Sequence, residues 1–324
     1  MESAPTATES KMRKAKKSNL AEKLGITLIS GGRVQTSDLI MALVMFMPAF
    51  LVLVFLGTYP ILTSLVSAFQ RRPLFNLSET EWVGFDNFIS VLQHPQLGTA
   101  FKNDIVFTLS AITVQTVIGL AVALLLHQQF TGRNMLRGFV MFSYVFPVAV
   151  AAIVWRFMLS DSVGIINQTI DTWNLPIPNT WFASPKTAMP TVIMVTGWKY
   201  FPFMVITFLA RLQTIDITLY EAAEVDGASS WQKFWYITLP SINPTMLMVV
   251  ILSTIGGFSL FIEPYIMTGG GPLNSTISAV LYIYKQGFFY YHMGYAATLG
   301  FFFALLILLV IVIQRKFVEK DVGV

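Results

Sequence analysis

Residues 219–240 read LYEAAEVDGASSWQKFWYITLP and lie between two long apolar blocks, residues 187–210 and 241–262. The stretch carries acidic, small and turn-forming residues, whereas each flanking block exceeds the roughly 20 apolar residues that cross a bilayer. A polar loop between two such blocks indicates a membrane protein with several spans.

The composition supports this interpretation. Hydrophobic residues make up 55% of the 324 residues and charged residues 12%, against about 25% charged residues in soluble domains. Six apolar blocks are long enough to span a membrane, so the sequence predicts an all-α membrane protein with six transmembrane helices. The blocks are residues 39–65, 105–126, 138–160, 187–210, 241–262 and 293–314.

The predicted organisation follows from these blocks. Residues 1–36 form a polar tail whose second half has the apolar spacing of a short interfacial helix. The first transmembrane helix is predicted over residues 37–69. It is not expected to be a signal peptide, because 36 polar residues precede its apolar core. An external loop (70–104), a five-helix core (105–314) with the loop 211–240, and a C-terminal segment (315–324) follow.

Basic residues predict the orientation. Of the 21 Lys and Arg residues, fourteen lie in the two terminal segments and in the loops 127–137 and 211–240, whereas five lie in the alternate loops. The positive-inside rule therefore places both termini and the loop 211–240 in the cytoplasm. The first group is Lys11, Arg13, Lys14, Lys16, Lys17, Lys23, Arg33, Arg133, Arg137, Arg211, Lys233, Arg315, Lys316 and Lys320; the second is Arg71, Arg72, Lys102, Lys186 and Lys285.

The loop 211–240 has the pattern of two short helices. Thr218 followed by Glu221 predicts a capping box, Gly227 suits a left-handed helix end, and Ser229 with Gln232 predicts a second capping box. Pro240 is expected to end the second helix before the next span. Without further information, a hairpin that only ties two spans together explains the pattern as well.

The residues 219–244 resemble the EAA loop of permease subunits in binding-protein-dependent ABC importers. A seven-residue match at fixed spacing arises by chance about once in 10⁸ starting positions. The resemblance implies a coupling helix that binds a cytoplasmic ATPase subunit. The coupling residues that it implies are Glu221, Ala222, Ala223, Asp226, Gly227, Ile237, Leu239 and Pro240.

Further stretches resemble the first permease subunit of the maltose and glycerol-phosphate type and, more loosely, that of alginate oligosaccharide importers. They are residues 82–88, 155–158 with Gly164 and Asn167, 209–210, and 268–272 with Ser275 and Thr276. The resemblance implies a prokaryotic inner-membrane location, a second permease, two ATPase subunits, an external sugar-binding protein and a saccharide substrate. Asp216 and Arg211 depart from it, since this branch usually has proline and glycine there.

No phosphate-binding GxxxxGK[ST] loop, HExxH element or nucleophile–base set occurs in the sequence. We therefore expect no catalytic residue, no metal site and no cofactor in this chain, with ATP and Mg²⁺ held by the partner subunits. The net charge of +4 is explained by a basic cytoplasmic rim facing anionic lipid and needs no nucleic-acid partner.

Two basic residues lie inside predicted spans and are candidates for the substrate path. Lys199 falls near mid-membrane, where a charge needs an aqueous path or an internal partner, whereas Arg156 lies near the external end and can also reach the interface. Aromatic rings near them could stack on sugars, although most such rings serve packing. The remaining candidates are Trp155, Trp198, Tyr200, Phe203, Phe258, Glu263 and Tyr265.

Three alternatives remain at this point. An ion-coupled secondary transporter would show similarity between its halves, which this sequence lacks. A permease for a solute other than a sugar would carry the same EAA loop. A membrane scaffold without transport activity would not need Lys199.

Overall fold

The computed structural model describes residues 36–75, 77–177 and 180–322, which are mainly helical. The predicted tail up to residue 35 lies outside this range. The chain divides into two units, residues 1–63 and 64–324. In the first unit, α1 (Thr36–Val52) continues through a π-helical turn (Leu53–Thr58) into α2 (Tyr59–Ala68), whose end belongs to the second unit. Residues 39–68 are long and apolar enough to cross a membrane.

A small element with two short strands opens the second unit. Strands β1 (Gln70–Arg71) and β2 (Glu81–Trp82) pair antiparallel, and α3 (Asp86–Gln93) follows. Phe88 of α3 contacts the rings of Phe301 and Phe302 at centroid distances of 5.7 and 6.0 Å. The aromatic segment 82–88 therefore packs on a membrane helix.

The centre of this unit is the pair α4 (Pro95–His127) and α8 (Pro185–Leu212). Helix α4 begins ten residues before the predicted span, because Pro95 takes the first helical position and the His94 ring accepts a hydrogen bond from the Gln96 N–H (3.3 Å). The predicted external loop 70–104 thus ends at His94.

The third predicted span is not one helix. Helices α5 (Arg133–Val145) and α6 (Val148–Met158) are bent by 95° at a break. Pro147 cannot donate a backbone hydrogen bond and holds Phe146 in an extended conformation (ψ 139°). A short helix, α7 (Ile165–Thr172), follows.

The remaining elements are α9 (Ile217–Val225), α10 (Ser230–Lys233), a π-helical turn (Phe234–Thr238) and α11 (Leu239–Phe258), then α12 (Ile262–Met267), α13 (Ala279–Tyr284), a π-helical turn (Lys285–Phe289) and α14 (Met293–Val322). Helix α14 runs past the predicted end of the span at residue 314. Among the described residues, five helices can cross a membrane, and six segments can if α5 and α6 count as one broken span. The prediction of six spans holds in that form.

Candidate functional site

The loop 211–240 begins with α9, and its N-cap is Asp216. The Asp216 carboxylate accepts a hydrogen bond from the Thr218 N–H (2.9 Å), and this bond lowers the pKa of Asp216. The prediction that Thr218 and Glu221 cap the helix is wrong, because aspartate two residues earlier satisfies the free N–H groups first. The departure at Asp216 therefore has a structural role.

The turn after α9 is as predicted. Gly227 adopts a φ of 76°, and the Ala228 N–H donates to the Ala223 carbonyl at 2.8 Å. This bond satisfies one of the last carbonyls of the helix. Ser229 and Gln232 form a reciprocal capping box: the Gln232 side chain accepts from the Ser229 N–H (2.8 Å), and Ser229 Oγ accepts from the Gln232 N–H (3.3 Å).

The sequence predicted that Pro240 ends the second helix, and this prediction is wrong. Residues 230–258 form one helical segment that passes through the π-helical turn Phe234–Thr238. The wider π-helical geometry makes room for a proline ring that would otherwise press on the preceding turn. The same arrangement occurs at Pro60, which also lies two residues beyond a π-helical turn. Short helix and span are therefore one element.

Two side-chain contacts attach α9 to the first residues of this helical segment. The Tyr220 hydroxyl and Thr238 Oγ1 lie 2.9 Å apart, and Lys233 Nζ forms an ion pair with Glu224 at 2.5 Å. Arg211 adds a third link from the end of α8, since its Nε donates to the Ser241 carbonyl (2.9 Å). We call α9, the Gly227 turn and the residues 229–240 the loop unit.

Most of the predicted coupling residues lie on the surface of the loop unit. Glu221, Ala222, Asp226, Gly227 and Pro240 are exposed, whereas Ala223, Ile237 and Leu239 are half-buried. Two apolar side chains of α9 are also largely exposed, Val225 (89%) and Ile217 (65%). The surface thus combines acidic groups, small residues that allow close approach, and uncovered apolar area.

Lys199 is 5% exposed, and its ammonium group is fully engaged. Nζ donates to the Tyr144 carbonyl (2.7 Å) and lies 5.0 and 5.4 Å from the ring centroids of Tyr144 and Tyr200. A charge at mid-membrane costs about 2.5–3.5 kcal/mol. A hydrogen bond to a charged group returns about 1.5–3 kcal/mol and each cation–π contact about 0.5–2 kcal/mol. The protein itself therefore stabilises this charge.

Other candidates for the substrate path fall into separate groups. Glu263 is 5% exposed and interacts electrostatically with Lys199. Trp155 and Trp198 meet edge to face at 5.4 Å. Arg156 is exposed, and its Nη1 donates to the Ile266 carbonyl (2.8 Å) instead of extending freely.

The aromatic candidates Phe203, Phe258 and Tyr265 have different surroundings. Phe203 stacks with Tyr144 at 6.4 Å, Phe258 is buried in α11, and Tyr265 stacks on Phe261 at 5.3 Å. A groove with a volume of about 690 Å³ between α4 and α8 reaches Trp198 but is lined mainly by apolar side chains. Among the nine candidates, direct contacts join Lys199 with Tyr200 and Trp155 with Trp198.

Two polar residues of α4 that have structural roles were not predicted from the sequence. Asp104, assigned to the external loop, is buried in α4, and its Oδ2 accepts a hydrogen bond from the Ala279 N–H (3.0 Å). Asn103 donates to the carbonyls of Asn274 (2.8 Å) and Ile277 (3.0 Å). Together they hold the glycine-rich segment 268–278 against α4. Their partners lie more than 170 positions away, which no local pattern reveals.

No group of three or more His, Asp or Glu residues that could bind a metal ion occurs in the part of the chain that the structure describes.

Comparison with known proteins identifies the family of this chain. The model of the binding-protein-dependent transport system inner membrane component matches residues 115–320. The permease YcjO of Escherichia coli K12, described as an inner membrane ABC transporter permease protein, is 34% identical over 86% of this chain and 94% of its own length.

Two further relatives carry substrate names. The sulfoquinovosyl glycerol transport system permease SmoG of Agrobacterium fabrum is 30% identical over 88% of this chain and 92% of its own. The trehalose/maltose transport system permease MalF of Thermococcus litoralis is 31% identical over 77% of this chain and 83% of its own.

A solved structure has the same fold. A chain of the bacterial alginate ABC transporter, in complex with an alginate pentasaccharide-bound periplasmic protein, superposes with a TM-score of 0.75 at 22% identity, over 86% of this chain and 94% of that one. With five spanning helices and a sixth, broken span among the described residues, an exposed EAA loop and a family match over residues 115–320, this chain belongs to the inner membrane components of binding-protein-dependent transport systems.

Proposed function

We propose that this chain is one of two permease subunits of an ATP-driven importer for saccharides. It forms half of the path across the membrane and hydrolyses nothing itself. ATP and Mg²⁺ are bound by two cytoplasmic ATPase subunits, and an external binding protein delivers the sugar. Both termini and the loop unit face the cytoplasm, as the distribution of basic residues indicates.

The loop unit is the observation that carries this proposal. Its exposed residues Glu221, Ala222, Asp226 and Gly227 present an acidic and closely approachable surface. Its own contacts, Tyr220 to Thr238 and Glu224 to Lys233, attach that surface to a membrane-crossing segment. A push on α9 by a closing ATPase dimer is therefore passed directly to the span at residues 230–258.

The substrate class is supported by the relatives, whose names specify sulfoquinovosyl glycerol and trehalose or maltose. Several aromatic rings near the predicted path can stack on sugar rings, among them Trp155, Trp198 and Tyr265. The alginate-like identity suggested by the sequence stays a prediction, since the alginate transporter shares the fold at 22% identity.

Charge reversal at Glu221 tests the coupling role. Glu221→Arg places a cation on the exposed face of α9, where we expect the ATPase to offer a basic group. Import into cells or vesicles by the complete transporter should fall at least tenfold, while the amount of permease in the membrane stays unchanged. Uptake of a labelled saccharide and immunoblotting of membranes measure the two quantities.

Asp161→Arg is the matched control, because it makes the same change of charge at an exposed position of an external loop. It should leave the transport rate within about twofold of the unmodified protein, since exposed charges away from a contact contribute little. Wild-type import by Glu221→Arg would refute the coupling role of α9. An ion-coupled transporter would lose uptake on collapse of the ion gradient and not on depletion of ATP.

A further inference from the structure

The break between α5 and α6 leaves backbone carbonyls without their usual partners. In an unbroken helix the Tyr144 carbonyl would accept a hydrogen bond from the Val148 N–H, four residues later. The 95° bend at Phe146 and Pro147 separates these groups. A carbonyl left without a partner in a membrane-spanning region is unfavourable, so a break of this kind needs a donor from elsewhere.

Lys199 supplies that donor from a different helix. Its Nζ lies 2.7 Å from the Tyr144 carbonyl oxygen, and the ring of the same tyrosine lies beside the ammonium group. The second ring, Tyr200, closes another side. Lys199 is buried, and the charged group is aimed at the end of α5 instead of at an open path.

The far side of the break is held by a second cation. Arg156 of α6 donates to the Ile266 carbonyl in α12 (2.8 Å). Glu263, also in α12, is buried and interacts electrostatically with Lys199. Lys199 thus joins α8 to the end of α5, and Arg156 joins α6 to α12, on the two sides of the break.

We propose that Lys199 is a positioning residue, which fixes the angle between α5 and α6, and that it does not bind the substrate. This assignment replaces the expectation that Lys199 lines the substrate path. The two roles predict different effects of removing the charge. A positioning role affects the geometry of the break and the transport of every substrate equally, whereas a binding role affects acidic substrates selectively.

A spectroscopic distance across the break tests the proposal without any assumption about the substrate. The chain contains no cysteine, so spin labels can be placed at Met135→Cys and Phe157→Cys, which are exposed positions on α5 and α6. The span between them measures about 33 Å along a straight helix and about 22 Å across a 95° bend. Double electron–electron resonance in native nanodiscs, which retain any partner subunits, resolves this difference.

The unmodified protein should give a single narrow distribution near the shorter distance. Lys199→Met should broaden it and shift it towards the longer one, whereas Lys199→Arg should restore the narrow distribution because a cationic donor remains. Lys199→Gln provides a second neutral variant if the methionine variant does not accumulate. Lys186→Met is the matched control, since it removes an exposed charge from the same helix and should change nothing.

Transport supplies an independent measurement, which rests on the proposed function. In vesicles saturated with binding protein, Lys199→Met should lower the import of acidic and neutral saccharides by the same factor. An unchanged distance distribution in both neutral variants would overturn the positioning role. A selective loss of acidic saccharide import with an unchanged distribution would return Lys199 to the substrate path.

Discussion

At the scale of single residues, Gly227 illustrates a position at which backbone conformation matters more than contacts. Its φ of 76° lies in the left-handed region, and a Cβ placed there would meet no atom within 4 Å. A side chain therefore adds strain without a clash, of the order of 1–3 kcal/mol. That strain would change the angle between α9 and α10.

We expect Gly227→Val to reduce transport strongly and Gly227→Asn to reduce it little, because asparagine tolerates the left-handed region and a β-branched side chain does not. The ratio of saccharide imported to ATP hydrolysed in proteoliposomes measures the effect. Equal ratios for the two variants would show that the turn conformation is not needed for coupling.

The sequence identified some of these residues and missed others for definite reasons. Gly227 and the pair Ser229 and Gln232 were found because caps and left-handed turns depend on neighbouring residues. The N-cap was misplaced because Thr218 matches the capping-box pattern, while Asp216 competes for the same N–H groups. The partner of Lys199 is a backbone carbonyl 55 positions away, for which no side-chain pattern exists.

At the scale of helices, α4 and α8 approach closely at Gly119. A Cβ at Gly119 would meet the side chain of Met204, which is fully buried in the same core cluster. In membrane proteins such small residues allow helices to approach closely. Gly300, in the middle of α14, has open space at the corresponding position.

Gly119→Ala should therefore destabilise the protein by about 1–3 kcal/mol through overpacking. Gly300→Ala should be neutral or stabilising by up to about 1 kcal/mol, because alanine favours a helix more than glycine does. Thermal unfolding of the detergent-solubilised protein, followed by tryptophan fluorescence, compares the two. A Tm for Gly119→Ala at or above that of Gly300→Ala would contradict the close contact.

The prolines show why the number of helices could be predicted from the sequence but their bends and breaks could not. Pro147 breaks its span with a 95° bend, whereas Pro240 and Pro244 lie within one continuous segment. Pro147 and Pro244 both lie inside predicted apolar blocks, so the pattern predicted a helix through each, whereas it predicted that Pro240 ends one. What differs is the local compensation: a π-helical turn precedes Pro240, whereas the chain at Phe146 is extended.

At the scale of the whole molecule, the orientation in the membrane rests on the unequal distribution of basic residues. Fourteen such residues lie on the side assigned to the cytoplasm and five on the other. The loop unit, with Lys233 engaged by Glu224, lies on the basic side. The proposed coupling role of the loop unit requires this orientation.

Single cysteines introduced into this cysteine-free chain test the orientation. Ser78→Cys and Ala183→Cys, at exposed positions of the predicted external loops, should react with an impermeant maleimide in intact cells. Thr131→Cys and Ser230→Cys should react only after permeabilisation. Labelling of Ser230→Cys in intact cells would place the loop unit outside and overturn the orientation.

The continuity of residues 230–258 has a mechanical consequence. A helical rod of 29 residues is about 43 Å long, so a tilt of about 10° around its end at Ser230 displaces the end at Phe258 by about 7 Å. The end at Ser230 needs to rotate only slightly, within the range of side-chain adjustments at Tyr220 and Lys233. Geometric amplification along a single lever arm can thus turn a movement of ångström size at the ATPase into a change in the width of the opposite opening.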